Sequence, residues 1–347
     1  MRIHMALSNH PYDILLDHQA ILQLPIELKK IYNGKKIYIL TDENVFEIYQ
    51  STISMILYEY SVEFVVVQPG EESKSLSVFE FVIDSLIDKQ MKRTDLLISF
   101  GGGVIGDLGG FVASSIYRGV PYIQIPTTLL AQVDSSIGGK TAINSQKGKN
   151  MIGAFYQPKL VIIDPDFLLS LPRFEYKNGM AEVIKSAFIG DIILYEKLLN
   201  GDIDRLEMIE RSVQVKRNVV LKDEYDLNER MYLNFGHTFG HALEKRTDYQ
   251  IPHGFAVAEG MLMATHIGER LGITPATMYK NLKSILEKYD LGLLNTNPVA
   301  LIEDVFYDKK NTNGSLKMIF IKEIGEPVIK PITKEELYEC YHSQASK

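Results

Sequence analysis

Short apolar runs rich in β-branched and aromatic residues recur through the first half of the chain, at residues 36–42, 62–68, 96–100, 122–126 and 160–164. Each ends in, or runs into, a polar residue or glycine, and amphipathic stretches such as 77–89 lie between several of them. This alternation predicts a mainly parallel sheet covered by helices. Ligands in such folds bind beyond the carboxyl ends of the strands. Asp42, Gln68-Pro69-Gly70-Glu71, Gly101-Gly102-Gly103 and Thr127-Thr128 all stand at such ends. After Asp164-Pro165 the period changes: residues 181–199, 204–221, 233–246, 255–271, 278–289 and 334–341 carry apolar positions at helical spacing, and only 316–321 reads as a strand.

The fold class expected is an α/β N-terminal domain with a mainly parallel, Rossmann-like sheet (residues 1–165), followed by a mostly α-helical C-terminal domain (166–347). The active site is expected in the cleft between them. A length of 347 residues agrees with two cores, because single cores stop growing at about 250–300 residues. A net charge of −7 argues against a nucleic-acid protein. The single cysteine, Cys340, excludes an internal disulfide and fits a reducing cytosol; its place in a helical pattern predicts a small half-buried residue rather than a nucleophile. Residues 1–10 lack the apolar core of a signal peptide, and no apolar run approaches the ~18–20 residues that span a bilayer. A cytoplasmic protein with no membrane partner is expected.

Candidate chemistry concentrates in three places. The first is Asn234-Phe-Gly-His237-Thr-Phe-Gly-His241-Ala-Leu-Glu244 with His253-Gly254, which places three of the eight histidines within 17 residues. His237 and His241, four apart, project from one face of a helix. Neutral imidazole is the commonest nitrogen ligand for zinc, and a catalytic site needs about three protein ligands and an open position. A chance histidine pair on a surface helix is the plainer alternative. The third histidine, the neighbouring glycines and the segment Met180-Ala-Glu182-Val-Ile-Lys185 favour a metal site.

The second place is Gly101-Gly-Gly-Val-Ile-Gly106-Asp107-Leu-Gly-Gly110, directly after a predicted strand. Its Gly-x-Gly-x-x-Gly spacing lets backbone N–H groups approach a pyrophosphate at a helix N-terminus. It departs from the ordinary dinucleotide fingerprint by lying about a hundred residues into the chain and by lacking an acidic strand end ~20 residues later. Asp42 and Glu71 could supply ribose contacts instead, and close helix–sheet packing is the alternative use of the glycines.

The third is Asp134-Ser-Ser-Ile-Gly-Gly-Lys140-Thr-Ala-Ile-Asn144, followed by Lys147-Gly-Lys149-Asn150. Cations flanked by glycines and amides favour a phosphate or carboxylate site. Gly139-Lys140-Thr141 is not a P-loop, since Asp134 stands where glycine is required. Arg118, Lys185, Lys216 and Arg230 are further cations near motif residues; together, in an acidic protein, they point to a small anionic substrate.

Taken with Pro69-Gly-Glu71-Glu-Ser-Lys74, Arg118-Gly, Pro126-Thr-Thr128, Arg230-x-x-Leu-Asn234 and Asp308-Lys-Lys310, these motifs closely resemble the 3-dehydroquinate synthase family, in order and at consistent spacing from about residue 36 to 320. The resemblance implies a lyase of the shikimate route. It would convert 3-deoxy-D-arabino-heptulosonate 7-phosphate to 3-dehydroquinate and phosphate, with NAD and one divalent metal, zinc or cobalt. It implies Glu182, His237 and His253 as metal ligands, which moves His241 to a substrate-phosphate contact. It implies NAD contacts at Asp42, Pro69, Gly70, Glu71, Glu72, Ser73, Lys74, Gly103, Val104, Ile105, Gly106, Asp107, Thr127, Thr128, Asp134, Lys140, Lys149 and the turn Phe167, Leu168, Leu169, Ser170. Substrate contacts are implied at Lys140, Asn150, Lys185, Lys216, Arg230, Asn234, His241 and one of Lys309 and Lys310, with Lys310 favoured. Arg118 would reach the neighbouring subunit's phosphate site, which implies a homodimer.

Three departures from the family pattern leave the chemistry intact: Ser170 where threonine is common, Phe255 where an acidic residue is common, and the stretch 225–229. The alternatives are another sugar-phosphate cyclase, which would differ most across residues 134–144, and a metal-dependent NAD polyol dehydrogenase, which would give net NADH.

Overall fold

The computed structural model describes residues 1–292, 294, 296–308 and 315–342, and the chain divides into two compact units, Met1–Pro172 and Arg173–Lys347. The first unit contains strands β1 (Arg2–Met5), β2 (Tyr12–Leu16), β3 (Lys36–Asp42), β4 (Ser61–Val67), β5 (Leu96–Gly101), β6 (Tyr122–Pro126), β7 (Lys140–Ser145), β8 (Gly148–Phe155) and β9 (Leu160–Ile163). Seven of them form one sheet in the order β1-β2-β9-β6-β5-β3-β4, while β7 and β8 pair separately as an antiparallel hairpin. Only β1 against β2 is antiparallel in the large sheet; every other neighbour pairs parallel.

Side-chain alternation in the central strands runs between two apolar cores rather than between core and water. Ile37, Ile39, Ile98, Phe100, Ile123 and Ile125 face one core, with Leu24 and Leu28 of α1 (Leu24–Ile31) and Val45 and Ile53 of α2 (Glu43–Ile56). Tyr38, Leu40, Leu97 and Tyr122 face the other, with Val82 and Leu86 of α3 (Leu76–Asp88) and Leu108 and Val112 of α4 (Gly103–Ser115). Each such side chain contributes about 1.5–3 kcal/mol by leaving water, which fixes register because a one-residue slip would exchange the two sets. The apolar runs predict five strands here and the unit has nine. Of the other four, β1 is a four-residue edge strand, β7 and β8 are rich in lysine, asparagine and glycine and partly exposed, and only the short β2 carries an apolar signal, in its buried Ile14, Leu15 and Leu16.

In the second unit α5 (Arg173–Gly190), α6 (Ile192–Asn200), α7 (Arg205–Lys222), α8 (His237–Arg246), α9 (His253–Arg270), α10 (Met278–Lys288) and α11 (Pro298–Asp308) precede the hairpin β10 (Ser315–Glu323) and β11 (Glu326–Thr333), and α12 (Lys334–His342) follows. Two sequence expectations need correction. The single helix at 181–199 is two helices, because the Asp191 carboxylate caps a new helix by accepting the Leu194 N–H at 2.9 Å. The lone strand at 316–321 has an antiparallel partner, hidden by Pro327, Lys330 and Pro331, which an edge strand tolerates. Cys340 is buried in α12. No helix among the described residues is long and apolar enough to cross a membrane.

Candidate functional site

Glycine packing in the second unit brings three helix segments to one point. Gly236 has φ 83°, left-handed, and precedes His237, the first residue of α8. A Cβ added at Gly260 of α9 would lie 1.9 Å from the Gly236 carbonyl oxygen, so the two helices meet backbone to backbone. At the start of α9 the Gly254 N–H donates to the Asn178 side chain of α5 at 2.6 Å, and a Cβ there would lie 2.0 Å from the Asn178 carbonyl oxygen. His237, His253 (the first residue of α9) and Glu182 (in α5) therefore converge. The His253 and His237 Nε2 atoms stand 3.4 and 3.8 Å from Glu182 Oε1, and one ligand atom from each of the three residues lies within 4.8 Å of the others. Both Glu182 oxygens are buried without a hydrogen-bond partner, although Lys185, one turn on, forms an ion pair with Oε2. A buried carboxylate faced by two imidazoles makes a donor set suited to zinc or cobalt.

The electrostatics fit that use. Burial pushes the Glu182 carboxyl toward its neutral form, but Lys185 and the two imidazoles outweigh this and hold it well below the usual carboxylate range. Burial and then the Lys185 charge hold His237 well below the ordinary histidine value, leaving its ring neutral. Burial opposes charge on His253 as well, yet the carboxylates of Glu182 and Glu244 on either side push it up to about 9. A cation would have to displace that proton, so metal binding and protonation compete here.

His241, one turn beyond His237 on the same face of α8, is exposed, and its ring lies 5.2 Å from that of His237. Its imidazole, with Glu244 and His253, forms a second group of closely spaced ligand atoms. Lys185, Lys216 of α7 and Arg230 are all buried, as cations rarely are unless an anion is at hand. The turn Glu229–Asn234, which carries Arg230 and Asn234, packs with α7 against α5. Phe255 stacks on Phe174 at 5.4 Å, which accounts for an apolar residue there. Lys309 and Lys310 lie outside the described residues.

Sequence reasoning missed Asp223. Its carboxylate accepts backbone N–H groups from Leu227 (3.0 Å), Asn228 (2.6 Å) and Arg230 (3.1 Å), folding the 224–229 loop and fixing where the Arg230 side chain starts. Burial opposes its ionisation, but these three donors hold it below the usual carboxylate value. The contribution is thus present above the ordinary aspartate pKa of ~3.9 and lost as pH falls through the lowered value. Asp223→Ala is expected to cost about 2 kcal/mol in denaturant titrations and to weaken anion binding. Unchanged stability and affinity would contradict it.

The first unit gathers the polar strand ends. Asp42 closes β3 and caps α2 by accepting the Val45 N–H at 3.1 Å, and burial raises its pKa. Gly70 (φ 108°) opens the short helical turn Glu71–Ser73. Behind it Lys74 is buried, and its Nζ donates to Asp107 Oδ2 at 2.7 Å and to Asn150 Oδ1 at 2.5 Å. Burial lowers the lysine's pKa, but Asp107 and Glu71 outweigh it and the net shift is upward. Asn144 Nδ2 donates to Glu71 at 2.8 Å, and the Asn150 N–H donates to Asn144 Oδ1 at 2.9 Å, tying the β7–β8 hairpin to the Glu71 turn.

Close packing accounts for three glycines of the glycine-rich segment. Gly106, Gly109 and Gly110 lie against Gln124, Ser99 and Thr141, where a Cβ would meet side-chain atoms at 2.7, 2.1 and 2.4 Å. Gly102, Gly103, Val104 and Ile105 form the amino end of α4, whose first N–H groups have no intrahelical acceptor. Thr127 and Thr128 follow β6 beside it, the Thr127 N–H donating to the Gly101 carbonyl at 3.0 Å, and Asp134 lies in the next helical turn. Lys140 is exposed at the start of β7, and Lys149 is in β8. Phe167 and Leu168 are buried in the turn after β9 and Leu169 is exposed; Ser170 Oγ and Tyr49 OH are 2.6 Å apart. Arg118 stands exposed in a left-handed conformation, φ 64°, after Tyr117, φ 51°.

Two family models match consecutive stretches, the 3-dehydroquinate synthase N-terminal model over residues 64–178 and the 3-dehydroquinate synthase C-terminal model over residues 179–311. A 3-dehydroquinate synthase of Clostridium botulinum is 43% identical over 335 residues, covering 93% of this chain and 96% of its own. Among solved structures, 2-deoxy-scyllo-inosose synthase with carbaglucose-6-phosphate, NAD+ and Co2+ has a TM-score of 0.88 at 24% identity, covering 98% of each chain. The 2-epi-5-epi-valiolone synthase of Streptomyces hygroscopicus, with NAD+ and Zn2+ bound, has a TM-score of 0.86 at 25% identity, covering 98% of each chain. Both halves of the chain and nearly its whole length place it in one family: this chain belongs to the 3-dehydroquinate synthases.

Proposed function

We propose that this chain converts 3-deoxy-D-arabino-heptulosonate 7-phosphate to 3-dehydroquinate and phosphate, with Glu182, His237 and His253 holding one zinc or cobalt ion and the first unit holding NAD. The observation that carries the reading is the buried Glu182 carboxylate, faced by two imidazoles and ion-paired to Lys185, in a chain of this family. NAD bound along the strand ends supplies a reversible hydride acceptor, and the metal supplies Lewis acidity at the substrate hydroxyls.

The remaining work falls to the chain's own side chains. Asp42 and Glu71 take the ribose hydroxyls. The amino end of α4 at Gly103–Asp107, with Thr127 and Thr128, takes the pyrophosphate. Pro69, Gly70, Glu72, Ser73, Lys74, Asp134, Lys140, Lys149 and the turn Phe167, Leu168, Leu169 and Ser170 would supply the remaining NAD contacts. Lys140, Asn150, Lys185, Lys216, Arg230, Asn234, His241 and one of Lys309 and Lys310 contact the substrate, Lys216 and Arg230 through its carboxylate and His241 and Lys140 through its phosphate. Positioning by charge-assisted hydrogen bonds carries much of the rate enhancement. Arg118 serves the phosphate site of a second copy, which makes the working form a homodimer, and the reaction belongs in the cytosol.

Incubation with NAD and 3-deoxy-D-arabino-heptulosonate 7-phosphate is expected to give a product with the mass of 3-dehydroquinate. Cyclisation of glucose 6-phosphate or sedoheptulose 7-phosphate instead would overturn the substrate assignment. Lys140→Ala is expected to weaken a phosphate-bearing substrate analogue about 10–100-fold, the worth of one hydrogen bond to a charged group. An unchanged dissociation constant would remove Lys140 from the site.

A further inference from the structure

His253 stands between two carboxylates. Its Nε2 is 3.4 Å from Glu182 Oε1 and its Nδ1 is 3.4 Å from Glu244 Oε2. Glu244 belongs to α8, seven residues after His237, so His237, His241 and Glu244 share one helix face. It is only 3% exposed, although its sequence setting, Ala242-Leu243-Glu244-Lys245-Arg246, reads as an ordinary helix surface. A carboxylate is costly to bury unless a donor faces it, and His253 Nδ1 is such a donor.

We propose that Glu244 is a positioning residue for the metal: it accepts the Nδ1–H of His253, fixes that tautomer and ring orientation, and leaves the Nε2 lone pair directed at the cation. Metal-ligating histidines usually donate their second nitrogen to such an acceptor, and loss of the acceptor typically weakens the metal 10–100-fold. The same assignment argues against a second centre at His241, Glu244 and His253, whose ligand atoms are also closely spaced. One Nδ1 cannot both donate to Glu244 and bind a second ion beside it. The inference rests on the reading of Glu182, His237 and His253 as metal ligands.

The test is zinc and cobalt affinity of the full chain, measured by competition with a chromophoric chelator in the absence of substrate, for the wild-type chain, Glu244→Ala and Glu244→Gln. NAD affinity and thermal melting are measured alongside. The expected result is one metal per wild-type chain, a 10–100-fold weaker metal in Glu244→Ala with NAD affinity retained, and partial recovery in Glu244→Gln, whose amide oxygen still accepts. The cobalt absorption spectrum of both variants should shift as His253 loses its fixed orientation, which a merely structural role would not produce. If Glu244→Ala fails to fold, Glu244→Gln carries the test through its affinity and spectrum. Wild-type affinity and spectrum in the variants that fold would overturn the inference while leaving the metal reading standing. Two metals per wild-type chain, one lost with Glu244, would overturn it in favour of a second site. A wild-type chain that binds no metal would overturn the ligand reading itself.

Discussion

Glu182→Ala should release the metal, lower kcat/KM by about 10³-fold or more, and cost the fold about 3–5 kcal/mol. The catalytic loss follows from removing the only anionic member of the proposed ligand set, since Lewis-acid stabilisation is worth several kcal/mol. The stability loss has a separate cause. Lys185 is only 2% exposed and ion-paired to Glu182, so truncation leaves a buried ammonium without its counter-charge. The two effects separate experimentally. Glu182→Gln fills the same volume but, like alanine, lacks the charge, whereas Glu182→Ala with Lys185→Met removes both charges and should recover much of the stability without recovering metal. Metal content after dialysis and urea unfolding are the measurements. A Glu182→Ala chain that retains one metal and full stability would refute both arguments.

Gly260→Ala is expected to be nearly as damaging from a position with no chemistry of its own. The added methyl would fall 1.9 Å from the Gly236 carbonyl oxygen, a backbone atom that cannot rotate away. Helices α8 and α9 must separate, at a cost of about 3 kcal/mol, and His237 and His253 move with them because each is the first residue of its helix. Metal affinity should therefore fall along with the melting temperature. Gly292→Ala is the control, since a Cβ there meets nothing within 4 Å. Equal melting temperatures for the two variants would mean that the close approach of α8 and α9 is not what holds the site.

Much of this was legible in the chain, and the illegible parts have physical reasons. The central strands of the first unit announce themselves because both faces are buried, giving continuous apolar runs. The β7–β8 hairpin, which bears Lys140, Lys149 and Asn150, gives no such signal because its strands are partly exposed and polar.

At the metal group, helical spacing pairs His237 with His241, and those two do share a face. Spacing within one helix says nothing about which residue a second helix brings in, and His253 arrives through the Gly236–Gly260 contact. The residue pattern singles out His253 and the Glu182 segment, but only the family resemblance assigns them as ligands in place of His241. Glu244 and Asp223 escaped for the opposite reason: acidic residues among polar neighbours read as surface, and only the fold shows one buried behind an imidazole and the other gathering three backbone N–H groups. For Glu244 a signal existed in its seven-residue spacing from His237.

The most direct test of the account follows phosphate and NADH in the same reaction, with 3-deoxy-D-arabino-heptulosonate 7-phosphate and NAD, before chelation, after chelation and after zinc is restored. Phosphate release that stops on chelation and returns with zinc, with no net NADH at any stage, is the predicted result. Net NADH without phosphate release, or phosphate release indifferent to chelation, would contradict it.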